Sequence, residues 1–100
     1  MSLEQKIEQQ LVHAVRKAGG QCYKFTSPGT AGMPDRCVIL PGGRIAFVEI
    51  KAPGQKPRPL QQRRHQQLQA LGVMVRTLDN PNQIPHIILS LIHISERAGK

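Results

Sequence analysis

Two short apolar runs, Cys37-Val38-Ile39-Leu40 and Ile45-Ala46-Phe47-Val48, flank Pro41-Gly42-Gly43, and this pattern reads as a β-hairpin. With a loop of three residues, Leu40 faces Arg44; Ile39, Cys37 and Asp35 then face Ile45, Phe47 and Glu49 in turn. Carboxylates directly opposed on one sheet face sit roughly 5 Å apart at Cβ and repel. The chain has only six acidic residues, so two placed face to face point to a cation that joins them. Lys51 lies two residues beyond Glu49 and therefore projects from the same face.

The rest of the chain arranges itself around this hairpin. Leu3, Ile7, Leu11, Val15 and Ala18 recur at helical spacing, and Gly19-Gly20 ends the run, so residues 3–18 read as a helix. Gln21 to Phe25 is a short strand, and Thr26 to Met33 a loop that leads into the hairpin at 35–51. Ala52 to Arg58 is a connector. Pro59 suits the first turn of a second helix, on which Leu60, Arg64, Leu68 and Leu71 share a side until Gly72. Val73 to Leu78 reads as a fourth strand. A last helix, capped by Asn80 or Asn82, presents Ile84, Ile87, Ile88, Leu91 and Ile92 on one face. The order α-β-β-β-α-β-α describes a mixed sheet with helices packed on it, an α/β domain. Residues 1–95 are expected to form one domain and residues 96–100 a frayed tail.

At 100 residues the chain can build one modest core, aliphatic because it has three aromatics and no Trp. No apolar run reaches the ~18 residues of a membrane span, and Met1-Ser2-Leu3-Glu4 does not open a signal peptide. Two cysteines at unrelated spacing form no disulfide framework, and the expected setting is a reducing cytoplasm. Cys22, Cys37 and the scattered histidines lack zinc-site spacing. The net charge of +8 is concentrated: from Ile50 to Leu78 there are six Lys and Arg and no Asp or Glu. Such a field suits a polyanion, and the phosphate backbone of a nucleic acid is the commonest one.

The motifs Ser27-Pro28, Gly32-Met33-Pro34-Asp35-Arg36, Leu40-Pro41-Gly42-Gly43, Phe47-Val48-Glu49-Ile50-Lys51-Ala52-Pro53-Gly54 and Gln61, in this order, resemble the virus-type replication-repair nuclease (VRR-NUC) domain of the PD-(D/E)xK superfamily. The resemblance runs from about residue 4 to residue 78. It implies a restriction-endonuclease-like fold and phosphodiester cleavage with Mg²⁺ or Mn²⁺. It also implies that an acid on the first helix and a Gln on the second complete the site, which match Glu8 and Gln61.

Asp35 and Glu49 are hard oxygen ligands suited to these ions, and the Ile50 carbonyl offers a third. Lys51 is placed to act on the attacking water or the phosphate. Glu8 would hold metal-bound water or a second cation. Gln61 would orient Lys51 or a phosphate oxygen. Arg36, Lys56, Arg58, Arg63 and Arg64 are candidate DNA contacts, with Arg36 equally suited to a structural ion pair. A domain of this size has no separate sequence-reading module, so branched DNA is the expected substrate. Stand-alone members resembling this chain suggest a homodimer that cuts four-way (Holliday) junctions. The alternative is a DNA-binding module that keeps the fold without catalysis.

Overall fold

The first helix starts where the sequence supplies a reciprocal cap. Ser2 Oγ accepts the Gln5 amide at 3.0 Å, and Gln5 Oε1 accepts the Ser2 amide at 2.8 Å. In the computed structural model, which describes residues 1–93, this helix is α1, Leu3–Lys17. The tail expected at 96–100 lies outside the described residues. The remaining elements follow the expected order: β1 Gln21–Lys24, β2 Arg36–Leu40, β3 Arg44–Ile50, α2 Pro59–Ala70, β4 Met74–Leu78 and α3 Ile84–Ile92. A 3₁₀ turn at Pro81–Gln83 leads into α3, and Asn80 caps it by accepting the Asn82 amide at 2.9 Å.

The four strands form one sheet in the order β1-β2-β3-β4. Both hairpin partners of β2 are antiparallel to it, while β4 runs parallel to β3 after the α2 crossover. The hairpin register is the one expected: Leu40 opposite Arg44, Ile39 opposite Ile45, Cys37 opposite Phe47. Its turn needs two consecutive residues at positive φ, and Gly42 (φ 89°) and Gly43 (φ 71°) provide them without a Cβ penalty.

Alternation along the strands gives the sheet two unlike faces. Val38, Leu40, Ala46, Val48 and Ile50 pack with Ile7, Leu11 and Val15 of α1 and with Ile84, Ile87 and Leu91 of α3. This is the aliphatic core. The opposite face carries Cys37, Ile39, Ile45, Phe47 and Glu49, and α2 covers only its β3–β4 side, which leaves Tyr23 and Ile45 exposed.

Helix α2 departs from the sequence expectation. Leu60 is 42% and Leu71 81% exposed, and the residue that α2 buries is His65. The reason lies in what the helix packs against: on this face the sheet presents the polar pair Glu49 and Lys51, so a polar side chain rather than a leucine stripe meets it.

Candidate active site

The fully buried Pro34 and the following Asp35 lie at the point where β2 begins. The Asp35 carbonyl accepts the Phe25 amide at 2.8 Å, which prolongs the β1–β2 pairing by a step. Its side chain then turns to the neighbouring strand, where Oδ2 accepts the Ile50 amide at 2.8 Å. Asp35 is thereby held against the end of β3, where it is exposed, while Glu49 beside it is 2% exposed. Lys51 continues β3, its amide donating to Leu78 O at 2.9 Å, and its Nζ stands 3.5 Å from Glu49 Oε2.

Gln61 completes the contact from α2. Its Oε1 accepts the Arg58 amide at 2.8 Å at the helix start, so its Nε2 is turned to Glu49 Oε2, at 2.9 Å. The hydrogen bond that Gln61 makes is thus to Glu49, where the sequence expectation names Lys51 or a phosphate oxygen. His65, one helical turn on, brings Nε2 to 4.0 Å from Glu49 Oε1. Among the described residues, neither of those two buried atoms has a hydrogen-bond partner. Sequence reasoning passed over His65 as one of four scattered histidines; the available signal was its i, i+4 spacing from Gln61, which puts both on one helix face.

Burial, reinforced by the Asp35 charge, pushes the Glu49 carboxyl up to about 7, against a partial offset from Lys51. Burial also lowers His65, and the Lys51 charge adds to that. Cys22 is raised to about 11, mainly by burial, and is an inert core thiol.

A cavity of about 280 Å³ opens beside these residues, lined by Glu4, Glu8, Lys24, Thr26, Asp35 and Ile50 among others. Glu8 reaches it from α1 with its carboxylate already fixed, Oε2 accepting from Arg36 Nε at 2.7 Å. Arg36 also donates to Cys22 O at 3.1 Å, which commits it within the protein. Arg64 is committed too, donating to Ala31 O at 2.8 Å and to Gln67 Oε1 at 2.9 Å. Lys56, Arg58 and Arg63 have exposed side chains.

Among the described residues, no group of three or more His, Cys, Asp or Glu side chains is placed to hold a metal ion. The donor set fits a small hard cation all the same. Two adjacent carboxylates, one of them buried with an oxygen lacking a partner, concentrate negative charge that Lys51 only partly offsets. Mg²⁺ is commonly held by one or two carboxylates and keeps several waters.

No protein-family model matches the chain. A phage protein described as "Putative nuclease p44", from Acyrthosiphon pisum secondary endosymbiont phage 1, is 58% identical over 77 residues, which span 77% of this chain and 83% of that protein. A solved structure described as a "VRR_NUC domain" superposes with a TM-score of 0.83 and 31% identity, over 88% of this chain and 96% of that one. Likeness of this extent in sequence and in fold, on a hairpin that brings together the acids and the lysine of the motif, places the chain in the VRR-NUC domain family.

Proposed function

We propose that the chain is a divalent-metal-dependent DNA endonuclease, selective for branched DNA such as four-way junctions. The observation that carries this reading is the buried Glu49 beside Asp35, with Lys51 Nζ at 3.5 Å, next to an open cavity. A module that only bound DNA would gain nothing from two acids beside phosphate, which argues against the non-catalytic alternative.

Asp35, Glu49 and the Ile50 carbonyl would hold the ion, Mg²⁺ or Mn²⁺. When bound, it supplies a Lewis acid that acidifies water and offsets phosphate charge. Lys51 presents a cation to the reacting phosphate or the attacking water. Gln61 keeps Glu49 oriented, and Glu8, fixed by Arg36, would hold water at the cavity wall. Phosphate contacts are assigned to Lys56, Arg58 and Arg63, whose side chains are exposed along the connector and the start of α2.

Assembly as a homodimer would set two sites at a fixed spacing on a substrate with matching symmetry. The sheet face around Tyr23 (54% exposed) and Ile45 (45%) is the apolar surface that favours it.

Labelled linear, nicked, flap, fork and four-way DNAs, incubated with Mg²⁺ or Mn²⁺, test the proposal. Cleavage of the four-way substrate is expected to exceed that of linear duplex and to stop in excess EDTA. Asp35→Ala and Glu49→Ala should abolish cleavage yet retain metal-free DNA binding. Lys51→Ala should slow cleavage by orders of magnitude at saturating DNA. Full cleavage in EDTA would refute the metal mechanism.

A further inference from the structure

The two oxygens of Glu49 are held unequally. Gln61 Nε2 and Lys51 Nζ both act on Oε2, at 2.9 and 3.5 Å, while Oε1 is buried without a hydrogen bond among the described residues. The terminal torsion of a glutamate is broad, so a single restrained oxygen leaves the plane of the carboxylate poorly defined. Facing Oε1 across 4.0 Å is His65 Nε2, also buried and also without a partner; the His65 side chain is 9% exposed and Glu49's 2%. Buried polar atoms in folded proteins nearly always find partners. Here an unpaired acceptor and a potential donor face each other, short of a hydrogen bond by about 1 Å.

We infer that His65 is a positioning residue for the metal site: its Nε2–H donates to Glu49 Oε1 and fixes the carboxylate plane in which Glu49 and Asp35 share a divalent cation. This rests on the reading of those two acids as cation ligands. The α2 helix then grips Glu49 twice, through Gln61 on one oxygen and His65 on the other. Oε1 keeps a second lone pair for the ion. The ring is well suited to the task because packing surrounds it, whereas Lys51 carries a flexible stem. Removing an outer-shell partner of this kind weakens metal binding by about tenfold to a hundredfold.

The test compares two polar replacements of different reach. The amide nitrogen of His65→Gln extends about as far as the imidazole Nε2, while that of His65→Asn stops near the Nδ1 position. Mn²⁺ affinity of the DNA-free protein is measured by titration calorimetry, with folding checked by circular dichroism. His65→Asn is expected to weaken Mn²⁺ binding by about tenfold or more and His65→Gln to restore most of it. Equal affinity in wild type and both folded variants would overturn the inference and leave the nuclease reading standing. Wild-type protein that takes up no Mn²⁺ would overturn both. Should His65→Asn fail to fold, ¹⁵N NMR of the His65 ring in the Mg²⁺-loaded wild type decides. Protonation at Nε2 supports the assignment, and an unprotonated Nε2 refutes it.

Discussion

Glu49 sits in the most perturbed environment of the site, and its titration has a sign that can be worked out. In the unfolded chain it ionises at 4.5 and in the folded chain at about 7. Between these values the folded state keeps a proton that the unfolded state has lost. The contribution of Glu49 to stability therefore falls as pH rises through that window. His65, lowered by burial, works in the opposite direction below its ordinary value, so the parent protein's profile mixes the two. Glu49→Gln separates them because its amide does not titrate. In chelator, this variant is expected to be more stable than the parent at about pH 8, and its advantage should shrink steadily as pH falls below about 7. Urea unfolding across the range reads the difference; an advantage independent of pH would mean that Glu49 is not the group responsible.

Among the elements, the loop between β1 and β2 and the start of α2 depend on each other. Arg64 holds Ala31 O, and at Gly32 (φ 84°) a Cβ would come within 3.1 Å of Leu60 O and of the Arg64 and Leu60 side chains. Both the conformation and the space there call for glycine. Gly32→Ala is expected to cost about 1–3 kcal/mol in urea unfolding. It should also shift α2 and with it Gln61, so that metal affinity falls even where the protein stays folded. In contrast, Gly29 has nothing within 4 Å of a Cβ, and Gly29→Ala should leave both quantities close to those of the parent. Should the two substitutions behave alike, the contact between loop and helix would have no mechanical role. On the other side of the sheet, Leu11 is fully buried between α1 and the strands, and Leu11→Ala should destabilise by about 2–5 kcal/mol.

For the molecule as a whole, the net charge of +8 governs encounter with DNA more than any one contact does. If Lys56, Arg58 and Arg63 each meet a phosphate, replacing all three with Gln should flatten the plot of log affinity against log salt by about 2–3 units. Filter binding or anisotropy at several salt concentrations measures this, and an unchanged slope would move the DNA path elsewhere. The apolar face of α3 offers no dimer surface, because Ile84, Ile87 and Leu91 are spent in the protomer's own core. The uncovered sheet face at Tyr23 and Ile45 is the candidate surface, and light scattering of Ile45→Glu against the parent tests it. A parent that is already monomeric at micromolar concentration would end it. Among the described residues, no helix is long and apolar enough to cross a membrane.

The sequence by itself determined the elements, the hairpin register and the meeting of Asp35 with Glu49. Each of these follows from short-range rules: period, turn chemistry and the strict alternation of a strand. The family could be read for the same reason, since its motif lies almost wholly on one hairpin and the turn before it. What α2 does was decided only by the tertiary structure. Its leucines promised an apolar face, yet the helix buries His65 and turns Gln61 onto Glu49, because the sheet beneath it is polar at that point. Likewise, Arg64 read as a basic residue free for DNA and Arg36 as suited equally to DNA or to an ion pair, until the fold set the Ala31 carbonyl and Glu8 in front of them, partners 33 and 28 residues away in sequence. Charge and periodicity along a chain say what a side chain can offer; which partner meets it depends on how distant segments pack, and no local pattern records that.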